Sequence, residues 1–148
     1  MKRRLLWATG VALAGLALLQ VVPYGREHTN PPVVQEPAWP SPDVRALAVR
    51  ACFDCHSNET RWPWYSHLAP VSWLVQRDTD EGRRALNFSE WNTPQRDADE
   101  AADEIREDEM PPAIYRPAHP EARLTPEERT LLADALERIA PKAPTPGR

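Results

Sequence analysis

The sequence predicts an all-α protein: about four short helices joined by proline-rich and tryptophan-rich loops, with a longer apolar helix ahead of them. Three observations carry this reading. Apolar residues recur at spacings of three and four, while the strict alternation of a half-buried strand is missing. The 148 residues include 17 Pro but only 5 Gly, which stiffens connections more than it loosens them. The length suits one small domain. The formal net charge of -4 supplies no basic phosphate footprint, so nucleic acid is excluded as a partner.

Met1-Lys2-Arg3-Arg4 is a basic start, and the 18 residues from Leu5 to Val22 carry no charge. At 1.5 Å per residue that run reaches roughly 27 Å, close to a ~30 Å hydrocarbon core. Residues 1–23 are therefore expected to be a membrane anchor or signal. The anchor is favoured because no small-x-small cleavage site ends the run. The basic flank would stay cytoplasmic, which exports the rest of the chain.

Residues 24–42 hold Pro31, Pro32, Pro37, Pro40 and Pro42 and read as an extended tether, with Trp39 as a packing point. Residues 43–141 form the main domain, and residues 142–148 are expected to be a disordered tail. Ser41 or Asp43 can cap a first helix whose stripe runs Val44, Leu47, Ala48, Ala51, Cys52, Cys55. A second helix is expected from about Pro70 to Leu86, weakened by Gly82. A third would start at Thr93-Pro94 and run to about Arg106. The last is marked by Thr125-Pro126-Glu127-Glu128, a capping box with Pro at the first position. Its apolar face is Leu131, Leu132, Ala135, Leu136 and Ile139, and Pro141 ends it.

The chemistry concentrates at Cys52-Phe53-Asp54-Cys55-His56. C-x-x-C-H is the pattern of covalent haem c attachment. Two thiols three residues apart share a helical face and can add to the two vinyl groups of one porphyrin, and the next residue offers an imidazole to the iron. A thioredoxin-like pair would need a βαβ setting. A zinc site would need Cys52 and Cys55 plus two of His56, His67 and His119. A structural disulfide is the remaining alternative.

For the sixth ligand, Met110 is the only methionine after the initiator, and Pro111-Pro112 stiffens the backbone beside it. His67 is the runner-up, then His119; His28 is too close to the anchor. Trp62, Trp64, Tyr65, Trp73 and Trp91 are expected to wall a crevice or fill the core, and Arg61 and Arg77 are candidates to pair with propionates. The acidic run Asp97, Asp99, Glu100, Asp103, Glu104, Glu107, Asp108, Glu109 reads as a solvated face or as a docking surface for a basic redox protein.

Beyond C-F-D-C-H-S-N at 52–58, the blocks W-P-W-Y-S at 62–66, A-P-V-S-W at 69–73, N-F-S-E-W at 87–91 and E-M-P-P at 109–112 resemble the small bacterial haem-binding domain family of cytochrome c-like proteins. The upstream N-P-P at 30–32 agrees. The resemblance spans roughly residues 25–140 and rests on the tryptophan blocks, since C-x-x-C-H is common to all c-type cytochromes. It implies a cytochrome c-like fold around one covalently attached haem c, with Cys52 and Cys55 as attachment residues and His56 as an axial ligand. Met110 falls where such proteins would carry their distal ligand. It also implies a periplasmic domain on the bacterial inner membrane.

The expected function is a membrane-anchored monohaem cytochrome that transfers single electrons to and from a redox partner protein. No base or nucleophile constellation suggests an enzyme. A haem-based sensor or small-ligand binder is the alternative, and a peroxidase-like site is disfavoured because Met110 would block the iron. With so little aliphatic mass, the protein without its haem is expected to fold poorly.

Overall fold

The computed structural model describes residues 2–140. The chain divides into two compact units, Met1–Thr29 with Arg61–Asp78, and Asn30–Thr60 with Thr79–Arg148. Among the described residues there are six α-helices and no strand, as an all-α fold requires: α1 Lys2–Leu19, α2 Pro42–Ala51, α3 Phe53–His56, α4 Val71–Ala85, α5 Ala101–Arg106 and α6 Pro126–Ile139. Short 3-10 turns occupy Trp64–His67 and Pro120–Ala122. The expected tail at 142–148 lies outside the described residues.

In the first unit, α1 buries none of its side chains. Among the described residues no helix is long and apolar enough to cross a membrane, which corrects the expectation of a spanning anchor. The uncharged run reaches Val22 in the sequence, but the helix stops at Leu19. Its three cations leave about 15 apolar residues, roughly 22 Å against a ~30 Å core. The helix ends where Gln20 turns inward. Its Oε1 accepts from Ala69 N at 3.1 Å and its Nε2 donates to Ala69 O at 2.8 Å. Arg26 donates to the same Oε1 at 3.0 Å. Gly25, at φ 75°, passes so close to the Ser72 carbonyl that a Cβ would sit 2.4 Å from its oxygen. His28 stacks on Trp62 with centroids 4.6 Å apart. Trp64 is 75% exposed, so it neither fills a core nor walls a crevice in this unit.

The second unit holds the apolar core. Val44, Ala48, Phe53, Leu86, Phe88, Ala98, Ala102, Ile105, Leu132, Ala133, Ala135 and Leu136 form one buried cluster. Five of the twelve are alanines, so the aromatic side chains carry much of the burial. Phe53, Phe88 and Trp91 stack in sequence at 5.6 and 5.7 Å, and Trp39 leans on Phe88 at 5.2 Å. The proline-rich segment is drawn onto this core. Val34 N and Gln35 N donate to Ser89 O, and Trp91 N donates to Gln35 O. Glu36 accepts from both Trp39 Nε1 and the Arg45 guanidinium, and the Arg45 bonds hold its carboxyl below the ordinary range.

Helix boundaries follow local chemistry with two exceptions. Ser41 caps α2 and the Thr125–Glu128 capping box opens α6, as expected. The helix expected from Thr93 to Arg106 forms only from Ala101. Ahead of it, the Gln95 side chain competes for the backbone: its Oε1 accepts from Asn87 N at 2.7 Å and its Nε2 donates to Glu90 O at 2.9 Å. Asp97 N then donates across the chain to Ala85 O rather than within a helix. The other exception is the single stripe from Val44 to Cys55, which breaks at Cys52, where φ is -125°.

Gly82 lies within α4, and a Cβ there would meet the Cys55 carbonyl oxygen at 2.5 Å. Helix propensity alone would make Gly82→Ala stabilising by about 1 kcal/mol. The clash involves backbone, which cannot swing aside, and such overpacking costs about 1–3 kcal/mol. The close approach therefore decides the sign. Gly82→Ala is expected to lower the urea midpoint, and a raised midpoint would show that the helix packs less tightly on the Cys55 turn.

Candidate functional site

Residues 52–56 form a helical turn of their own. The Cys52 carbonyl accepts from Cys55 N at 3.1 Å and from His56 N at 2.9 Å, so one oxygen gathers the residues that carry the chemistry. Phe53 plugs the turn into the core at 2% exposure. Asp54 points the other way and accepts from Tyr115 Oη at 2.6 Å. Neither Cys52 nor Cys55 forms a disulfide. Burial, with the neighbouring Cys55 adding, pushes the Cys52 thiol up to about 12. A redox-active C-x-x-C depends on a lowered thiol pKa, so this pair is unlike a thioredoxin-type site. Among the described residues no group of three or more His, Cys, Asp or Glu side chains could hold a metal ion, which gives the zinc alternative no support.

His56 is the most constrained of the predicted residues. Its Nδ1 lies 3.0 Å from Gly82 O and 3.1 Å from Leu86 O. Both partners are acceptors, so the proton belongs on Nδ1, which donates to them. Nε2 enters no hydrogen bond among the described residues. Burial lowers the imidazole pKa, opposed by the Leu86 and Gly82 hydrogen bonds. A neutral ring with one nitrogen anchored on backbone and the other uncommitted is what a metal-ligating histidine requires. The Gly82 carbonyl lies in the last turn of α4, where it also accepts from Leu86 N at 2.9 Å, and the Leu86 carbonyl lies one residue past the helix. The donor set therefore fits haem c: two thiols outside any disulfide, spaced for attachment, beside an imidazole already oriented through its second nitrogen.

The segment after His56 is locked to the segment after α4 by buried polar groups. Phe88 N donates to His56 O at 2.8 Å. Asn58 N donates to Ser89 Oγ, Asn87 Nδ2 donates to Asn58 Oδ1, and Ser89 N donates to Asn87 Oδ1, each at 2.9 Å. Ser57 and Ser89 are fully buried, and Asn58 and Asn87 nearly so, yet every side chain here has a partner, so burial costs little. Arg83, one residue past Gly82, donates to Ser57 O, Asn30 Oδ1 and Thr60 Oγ1.

Met110 belongs to the same unit as the Cys52–His56 turn and, like Cys52, packs against the edge of the apolar cluster. Its N–H and that of Glu109 both donate to Glu104 O. The segment that follows returns to the Cys52–His56 turn through the Tyr115–Asp54 bond. His119 stacks flat on Tyr115, with centroids 3.9 Å apart. His67 and His28 lie in the first unit, with ring centroids 4.4 Å apart. Arg61 and Arg77 also lie there, and each already engages another group. In the acidic run, Asp97 pairs with Arg96, Asp103 with Arg106, and Asp108 with Arg116 and Arg129, so the run is not a uniform free charge.

Four residues around the site were not legible as such in the sequence: Gly82, Arg83, Tyr115 and Arg116. A glycine inside a helical pattern was the one available signal. The other three act through partners 23 or more residues away, or through a loop closing on itself.

No curated protein and no solved structure matches the chain. The haem-binding domain family does match, over residues 14–138, and this range contains every residue of the site just described. With most of the sequence matched and a donor set suited to the group, the chain belongs to the haem-binding domain family.

Proposed function

We propose that this haem-binding protein is a monohaem c-type cytochrome, a one-electron carrier rather than an enzyme. Cys52 and Cys55 would hold the haem by thioether bonds, and His56 and Met110 would be the axial ligands. The observation that carries the reading is the His56 ring, fixed through Nδ1 on two carbonyls beside two thiols outside any disulfide. Haem held this way supplies a ferric–ferrous couple, and Met/His ligation raises its potential into a range suited to electron transfer. The protein's own part is to keep His56 neutral and oriented, and to bring Met110 on a braced loop.

Export follows from the same chemistry, because stable thioether attachment is a feature of this C-x-x-C-H pattern outside the cytoplasm. The reading places the protein at the periplasmic face of the bacterial inner membrane, with a redox protein of that compartment as partner. Membrane attachment would be through α1, whose apolar side chains, such as Trp7 at 72% exposure, are left unburied among the described residues. Lys2, Arg3 and Arg4 at its start add attraction to anionic headgroups. Deleting residues 2–19 behind a cleavable export signal should move the protein from the membrane fraction to the soluble periplasm. Retention in the membrane fraction would refute attachment by α1.

A second reading, a small-ligand sensor, is favoured by one observation. Met110 borders an open cavity of about 270 Å³ lined also by Asp108, Arg116, Arg123 and Arg129, from which a small ligand could reach the place of a displaced thioether.

Two measurements test the proposal. Intact mass of protein made with cytochrome c maturation should exceed the polypeptide mass by one haem. Cys52→Ser with Cys55→Ser should abolish that increment and lower the melting temperature, and an unmodified wild-type mass would end the c-type reading. The ferric wild-type spectrum should show a Met-to-iron charge-transfer band that Met110→Ala removes. A five-coordinate wild-type iron would favour the sensor instead.

A further inference from the structure

We propose that Arg116 is the positioning residue for Met110, holding the loop that presents its thioether; this rests on the reading of Met110 as the second axial ligand. One guanidinium brackets Met110 along the chain. Its Nε donates to the Pro111 carbonyl at 2.7 Å, its Nη2 to the Asp108 carbonyl at 2.5 Å, and its Nη1 to Asp108 Oδ2 at 3.0 Å. The residue after Met110 and the residue two before it are thus gripped by a single planar group.

The loop needs such a grip. Asp108 sits at φ 62°, a left-handed conformation that few residues with a Cβ adopt and that Asp enters with the help of local hydrogen bonds. Its carboxylate takes a second guanidinium, with Arg129 Nη2 at 2.6 Å from Oδ1, and the Arg116 hydrogen bond leads in holding that carboxyl below its ordinary range. Exposed ion pairs taken singly contribute little. Here, however, the Arg116 side chain is only 19% exposed, and two of its three bonds go to backbone carbonyls, so what it supplies is geometry. A lysine would offer one compact ammonium in place of a rigid fork and could not span both carbonyls.

Tyr115, the residue before Arg116, ties the same segment to Asp54 between the two cysteines. Adjacent side chains therefore secure the Met110 loop to itself and to the attachment turn. Opening of this loop would free the sixth position of the iron, and the apparent affinity for an external ligand scales with the open fraction.

The test is titration of the full-length ferric haem protein with imidazole, followed in the visible spectrum, for wild type and four variants. Met110→Ala should bind imidazole far more tightly than wild type, because its sixth position has no internal ligand. Arg116→Ala should bind about tenfold more tightly than wild type, as a loop opened ten times more often would, with haem content and helicity unchanged. Arg116→Lys should not restore wild-type affinity. Asp108→Asn, which leaves both backbone bonds intact, should shift it less. Wild-type affinity in Arg116→Ala beside a tightened Met110→Ala would overturn the inference and leave Met110 as ligand. Wild-type affinity in Met110→Ala would remove both. If Arg116→Ala fails to hold haem, the other two variants decide: wild-type affinity in both Arg116→Lys and Asp108→Asn overturns the inference, and tightening in Arg116→Lys sustains it.

Discussion

The second unit is organised around a pair of hydrogen bonds from the His56 ring to the carbonyls of Gly82 and Leu86. They tie the Cys52–His56 turn to the C-terminal end of α4. The Gly82 carbonyl, which also accepts from Leu86 N, and the Leu86 carbonyl one residue past the helix both face the Nδ1 proton, and a metal-ligating imidazole needs its second nitrogen so occupied to keep its tautomer and its plane. Gly82 is a glycine because the Cys55 backbone lies where its Cβ would be. Arg83 extends the same contact by taking the Ser57 carbonyl. A helix that is unremarkable as a helix thus becomes the platform for the site.

Around that contact the protein uses buried polar groups where a larger domain would use aliphatic ones. The apolar cluster is rich in alanine, and burying a Phe side chain contributes about 1.5–3 kcal/mol, far more than an alanine can. Stacked Phe53, Phe88 and Trp91, with Trp39 tilted against Phe88, therefore carry much of the core. The Asn58–Asn87–Ser89 network carries register, since each buried amide and hydroxyl has one arrangement in which it is satisfied. This gives a physical account of why the blocks at 52–58 and 87–91 stand out in the sequence. They are two halves of one contact: Phe53 stacks on Phe88, the His56 carbonyl accepts from Phe88 N, and Asn58 bonds Asn87, Ser89 and Glu90.

The family match extends to Met110, and the loop bearing it is built on a different plan from the His56 turn. His56 is fixed by the rigid end of a helix. The Met110 loop hangs on the Glu104 carbonyl and on side chains, chiefly the arginines around Asp108, with Tyr115 reaching the Cys52–His56 turn. The two sides of the proposed site therefore differ in stiffness, with the loop the softer one.

Much was legible in the sequence alone. Composition and spacing determined the helical class, because a period near four and an absence of alternation leave no strand to build. Ser41 and Thr125 determined where α2 and α6 begin, because a cap acts on backbone within three residues of itself. C-x-x-C-H determined the attachment chemistry expected at 52–56, since that chemistry too is local. What the tertiary structure decided was everything that depends on partners distant in sequence. The helix at 93–100 was lost to the Gln95 side chain and the Ala85 carbonyl, and α1 was shortened by Gln20 binding Ala69, so a run long enough to span a membrane became one that is not. Gly82 changed from a flaw in a helical pattern to the point of closest approach to the Cys55 turn. Propensity and motif report what a segment can do by itself, whereas these outcomes were set by which unpaired carbonyl, amide or guanidinium the fold brought within 3 Å.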